Sequence, residues 1–220
     1  MDKKETENKF EQYREHLHDE VSRLSTYVFL YKHLHQRKQS RLDEMNIAPC
    51  FFQSVFESLY SNIILWVNNL LCPKADRGFF DFLIFIENNL QIFTVVCLQK
   101  RQNYPNGHWM LNRSPITIQT IKSDQDKITN LKSLKNFKTR RNKYHAHFDK
   151  KYAFEKHKIK NDAPIRWTDL DDSISIMKDI LNTYSAAYDG KVYTCRPMTV
   201  DDVDYLLDIL HDYLNNLNKE

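Results

Sequence analysis

From about Asn8 to Arg37 the apolar side chains recur at Phe10, Tyr13, Leu17, Val21, Leu24, Val28, Tyr31 and Leu34. Steps of three and four over that length predict one amphipathic helix, 8–37. Pro49 then opens a denser segment, 49–71, in which Phe51, Phe52, Val55, Phe56, Leu59, Tyr60, Ile63, Ile64, Trp66, Val67 and Leu70 cover more than half of the circumference. Such a helix is buried on most sides and is the expected core spine. Phe79 to Lys100 reads as a third helix, 79–100, although the run Ile92 to Val96 has strand propensity, because no neighbouring strand is in sight to pair with it. A fourth, 123–149, starts at Ser123 and Asp126 and carries Ile128, Leu131, Leu134, Phe137, Arg141, Tyr144 and Phe148 on one stripe. Thr168 with Asp171 opens a fifth, 168–188, ended by Asp189 and Gly190, and Thr199 with Asp202 opens a sixth, 199–218.

These segments predict an all-α bundle of five to six helices, with residues 1–220 forming one domain. Three glycines and six prolines leave little material for hairpins, which points the same way. Residues 101–121, holding Pro105, Asn106, Gly107 and Pro115, are expected as a loop whose His108, Trp109 and Arg113 are placed either over a site or simply packed. Residues 150–162 read as a polar, basic connector.

The first seven residues have no apolar stretch of the signal-peptide kind, and Phe79 to Leu98 is interrupted by Asp81 and Glu87, so no membrane span is expected. Cys50, Cys72, Cys97 and Cys195 lack paired spacing and read as reduced core or near-core thiols of a cytoplasmic protein. The pairs His16/His18 and His33/His35 point roughly 200° apart on a helix and cannot share a metal, so no metal and no cofactor are expected.

Charge changes the picture. Lys122 to Lys160 holds thirteen Lys/Arg against four Asp/Glu, whereas residues 161–220 hold five against twelve. The basic block is suited to a polyanion such as RNA, with Lys132, Lys135, Lys138 and Arg140 as phosphate contacts; the competing reading is that the acidic C-terminal helices neutralise it within the molecule.

Within that block, Arg140-Arg141-Asn142-Lys143-Tyr144-His145-Ala146-His147-Phe148-Asp149 concentrates two guanidiniums, two imidazoles and a carboxylate. A guanidinium holds a phosphate by paired hydrogen bonds and an imidazole moves protons near neutrality, which together suit phosphodiester cleavage. On an ideal helix His147 lies roughly 240° round from Arg141, so one regular helix does not bring them close; the reach of the long Arg side chain, fraying near Phe148 or a second copy of the helix across a two-fold axis would. Arg140 to His147 is nearly in line on one face, and Arg140 to His145 also fits a loose pattern, so the register is not settled by spacing alone.

Arg141, Asn142 and His147 resemble the Arg-polar-x4-His signature of the HEPN superfamily, and Lys143, Ala146, His147 and Asp149 resemble its AbiU-like abortive-infection branch. The likeness extends to Ser61-Asn62-Ile63-Ile64-Leu65-Trp66. It implies a helical, homodimeric, metal-independent endoribonuclease of phage defence or of a toxin–antitoxin pair. Arg141, His147 and Asn142 would then be catalytic, with Lys143, Tyr144, His145 and Asp149 in support, RNA as substrate, and an antitoxin or other defence protein as partner. The alternative is a non-catalytic binding or scaffold protein. Related toxins silenced by nucleotidylation carry His-x-Tyr; Phe148 here is a departure that puts such silencing in doubt.

Overall fold

In the computed structural model of the chain the first stripe becomes α1 (Lys3–Ser40), longer at both ends than its apolar pattern, with Phe10, Leu17, Val21, Leu24, Val28 and Leu34 buried. The structure describes residues 2–145, 150–155 and 157–217, of which 144, 145, 150 and 153 are described by backbone only. After the short α2 (Leu42–Met45) comes α3 (Pro49–Leu71), with Pro49 in the first turn, where its missing N–H has no intrahelical role. It lies along α1 and α7 as the expected spine.

The single helix expected over 79–100 is three pieces: α4 (Phe79–Glu87), a 3-10 turn (Leu90–Phe93) and α5 (Val95–Gln102). Asn88 and Asn89 break it, and the Thr94 hydroxyl recaps the chain by accepting from the Cys97 amide. Asx side chains favour such breaks because they compete for backbone hydrogen bonds. Gly78 precedes α4 where a Cβ would sit 2.8 Å from the Leu70 carbonyl oxygen, so only glycine admits that approach.

The helix expected over 123–149 is also divided. It begins earlier, as α6 (Ile118–Thr129), under a Thr117/Thr120 capping box, not one built on Ser123. It pauses at Asn130 and resumes as α7 (Leu134–Arg140), passing into a π-helical turn, Arg141–His145. The connector over 150–162 folds into α8 (Lys150–Phe154) and α9 (Lys158–Asp162). The chain ends in α10 (Trp167–Asp189), closed by Gly190 at φ 81°, and α11 (Asp201–Leu217). The regular structure of the described residues is therefore all helical, without strands, and comprises more helices than the five to six expected.

One core joins α1, α3, α4, α6, α7 and α10, centred on Phe10, Phe82, Phe93, Tyr184 and Tyr188. A second, smaller cluster seats Leu207 of α11 against Leu34, Met45, Phe52 and Leu59. Residues 101–117 pack at the C-terminal end of α10, where Arg113 donates to the Ala186 carbonyl oxygen at 2.7 Å, while Trp109 stays 68% exposed. Of the thiols, Cys195 is buried, which pushes its pKa up, but Cys50 is exposed and not near-core. No helix among the described residues is long and apolar enough to cross a membrane.

Candidate active site

On α7 the apolar anchor is Phe137, fully buried; Lys132, in the turn just before the helix, and Lys135 and Lys138 follow at steps of three on the outer side, all exposed. These three lysines line one cleft of about 550 Å³, with Asn68 of α3 at its wall. Asn68 is 5% exposed and its Oδ1 has no hydrogen-bond partner among the described residues. Three of the four expected phosphate contacts thus share one surface.

The fourth does not. Arg140 is 5% exposed, its Nε donates to the Ala163 carbonyl oxygen at 2.6 Å and an Nη to that of Ile159 at 3.4 Å, and its guanidinium lies 5.5 Å from the Tyr60 ring centre. A buried guanidinium must be hydrogen-bonded, and here the C-terminal end of α9 supplies the acceptors. Arg140, expected on the surface, is instead a strut between α7 and α9. The apolar stripe was read through Arg141; the buried arginine is its neighbour, three residues after Phe137.

Arg141 itself is half-buried, and its Nη1 donates to Asn142 Oδ1 at 2.8 Å. That bond turns the planar fork and leaves further N–H groups for a phosphate. Lys143 is exposed. Residues 141–145 follow the π pattern and pack on α3. A turn bonded i→i+5 advances less per residue than an α-helix, so the rotation expected for an uninterrupted helix between Arg141 and the residues beyond does not apply. Tyr144 and His145 are placed in this turn by backbone alone. His147 and Asp149 lie outside the described residues, as do Ala146 and Phe148.

Among the described residues the acidic side chains of the C-terminal helices pair outside the basic block. Asp204 accepts from Arg37 at 2.7 and 2.8 Å and pairs with His33 at 2.9 Å, Asp208 pairs with Arg41 at 2.5 Å, and Asp171 pairs with Lys32 at 2.6 Å. Their partners are on α1 and the residue after it. The α7 lysines carry no ion pair among the described residues, which leaves the field along that face positive.

His108, Trp109 and Arg113, set at the far end of α10, are not over the motif: a helix of 23 residues spans roughly 35 Å, and its other end meets the Arg140 region. What sequence reasoning missed lies at that near end. Trp167, on the first turn of α10, stands against Tyr31 of α1 at 5.4 Å between ring centres, and Tyr31 stands against Tyr60 of α3 at 5.7 Å. Burial, then Tyr60, pushes the Tyr31 hydroxyl up to about 12 against the opposing pull of Arg140, so it stays a neutral donor at physiological pH. The available signal was a tryptophan immediately before the Thr168 expected to start the helix. Among the described residues no group of three or more His, Cys, Asp or Glu is arranged to hold a metal.

The family model HEPN_AbiU2, described as AbiU2, matches residues 7–217. No curated protein and no solved structure matches the chain.

Proposed function

The chain belongs to the AbiU2 family of HEPN proteins, and from that premise we propose that it is a metal-independent endoribonuclease acting in phage defence or a toxin–antitoxin system. The observation that carries the reading is the half-buried Arg141 oriented by Asn142 at the end of the exposed lysine face of α7. Lys132, Lys135 and Lys138 attract the RNA backbone without regard to sequence, and Arg141 meets the phosphate to be cut. The ribose 2′-oxygen attacks the adjacent phosphorus, the P–O5′ bond breaks, and a 2′,3′-cyclic phosphate remains. One proton leaves the 2′-hydroxyl and one reaches the departing 5′-oxygen. His147 carries one of these transfers, and the other falls to His145, to water, or to a second copy of the motif. Arg141 stabilises the charge gathering on the phosphate oxygens.

The test is cleavage of RNA by the purified protein in EDTA. Wild type should cut and leave cyclic phosphate ends, while His147→Ala and Arg141→Ala should each lose a factor on the order of 10² or more, with unchanged circular dichroism and RNA affinity. Mutants that cut as fast as wild type would refute the catalytic assignment. A second reading, a non-catalytic scaffold, is favoured by the burial of Arg140, the residue beside the motif, as a strut between α7 and α9. It takes over if wild type cuts no RNA and the motif mutants lose a protein partner.

A further inference from the structure

A cleft of about 960 Å³ opens at the Arg140 end of α7, between α1, α3, α9 and the start of α10. Its volume is at the upper end for sites that take a small molecule or one nucleotide, roughly 300–1,000 Å³. One wall is aromatic: Tyr60, Tyr31 and Trp167 follow one another from α3 across α1 to α10. Tyr31 and His35 meet Trp167 at interplanar angles of 50° and 76°, so neither covers its ring in parallel, and 42% of Trp167 is exposed. Lys32, tied to Asp171, lies 5.8 Å from the Trp167 ring centre and helps to hold the indole in place by cation–π attraction.

The rim has the opposite character. His157, Lys160 and Arg166 are exposed at the cleft, Arg140 is buried in it, and Glu57 is the one carboxylate among the described lining residues. A flat aromatic face beside a ring of cations fits a nucleotide whose base has left its stack: the base supplies the π-face and the flanking phosphates meet the cations. A duplex cannot enter, since its bases are already stacked and paired. Arg140 joins the cleft to the motif, because the next residue is Arg141.

We infer that this cleft receives an unpaired nucleotide of the RNA, its base stacked on Trp167 and its phosphates held by Lys160 and Arg166, next to the scissile phosphate at Arg141. The inference rests on the ribonuclease reading for the identity of the strand, and makes single-stranded RNA the substrate. The strand runs from the lysine face of α7, past Arg141, to Trp167.

Binding is measured with a fluorescein-labelled single-stranded oligonucleotide methylated at every 2′-oxygen, which cannot undergo the cleavage step. Titration of unlabelled oligonucleotide should quench tryptophan emission in wild type, and the quench should vanish in Trp167→Phe while the affinity is largely kept. Trp167→Ala should weaken binding roughly 5- to 100-fold, the range for loss of one stacked base. Because Trp167 also packs on Tyr31, the double variant Lys160→Ala with Arg166→Ala, at exposed positions, provides a second readout: the slope of log affinity against log salt should fall by roughly 1.4. Binding of a fully paired duplex of the same length should be insensitive to Trp167→Ala. Unchanged oligonucleotide affinity in Trp167→Ala together with an unchanged quench in Trp167→Phe would overturn the inference. Saturation of the quench by a mononucleotide but not by the oligonucleotide would overturn it equally, by making the ligand a small effector. If wild type cuts no RNA while these binding results hold, the ribonuclease reading falls and the nucleotide cleft stands; if His147→Ala abolishes cleavage while the Trp167 variants change nothing, the reverse follows.

Discussion

Arg140 and Arg141 are adjacent in the chain and opposite in environment. The first is buried and bonded to the carbonyls of Ala163 and Ile159; the second is half-buried and bonded only to the amide beside it, among its described contacts. Two hydrogen bonds from a charged donor, and the two acceptors stranded by its loss, make Arg140→Ala destabilising by about 2–4 kcal/mol. Denaturant midpoints should record that loss, whereas the salt dependence of RNA binding by the folded fraction should not change. A variant as stable as wild type with a flattened salt slope would return Arg140 to the RNA surface. Arg141→Ala should do the converse, sparing stability and removing cleavage.

At the level of elements, α7 and α11 divide the charge of the molecule between them. Replacing Lys132, Lys135 and Lys138 together by Ala should weaken RNA binding at low salt and reduce the salt slope by roughly 2–3, since each phosphate contact contributes about one released counterion. A slope equal to wild type would show that the strand lies elsewhere. On α11, the Arg37 guanidinium and then His33 hold the Asp204 carboxyl below its usual range. A carboxylate whose pKa is depressed in the folded state contributes stability at neutral pH and loses it as the pH falls below about 4 toward the folded value. Asp204→Asn should therefore be less stable than wild type at pH 7, and the gap should narrow progressively as the pH is lowered below about 4, as read from urea midpoints across a pH series. A gap independent of pH would remove the ion pair from the account of how α11 is held.

For the whole molecule, the proposed cleavage calls for a second proton carrier, and a two-fold dimer with the 140–149 segments face to face would supply it as a second His147; closed C2 pairing is the commonest way identical chains associate. Sedimentation or light scattering should give twice the monomer mass, and mixing His147→Ala with Arg141→Ala chains should restore part of the activity if each site draws on both copies. A monomer at working concentration with full activity would count against that arrangement. Within one chain, the long α1 ties distant parts together: Arg14, on the same stripe as Phe10 and Leu17, is 2% exposed and forms an ion pair at 2.7 Å with Asp189 at the end of α10. Breaking such a buried pair by removing one partner leaves an uncompensated charge.

The helical character of the chain, the burial of the Phe10 to Leu34 stripe, the spine over 49–71 and the end of α10 at Gly190 were legible because periodicity and capping are local properties that the backbone reads within one or two turns. So was the family, whose signature is a short run of residue types. The splits at Asn88–Asn89 and Asn130, and the passage from α to π at Arg141, were not, because helix propensity alone does not say where packing favours a break. The start of α10 is not the expected Thr168/Asp171 cap: the helix begins at Trp167, after Arg166, whose amide donates to Asp169. Nor did spacing decide which arginine turns inward: one position of register exchanges Arg140 for Arg141, and the choice rests on carbonyls of α9 that stand some twenty residues away. The cleft at Trp167 is assembled from α1, α3, α7, α9 and α10, and the pairing of the acidic helices with α1 and not with α7 is likewise a matter of which surfaces meet. The chain by itself determined its helices and the residue types available for chemistry; only the tertiary structure decided which of them face one another, because burial and ion pairing act between segments that sequence proximity does not connect.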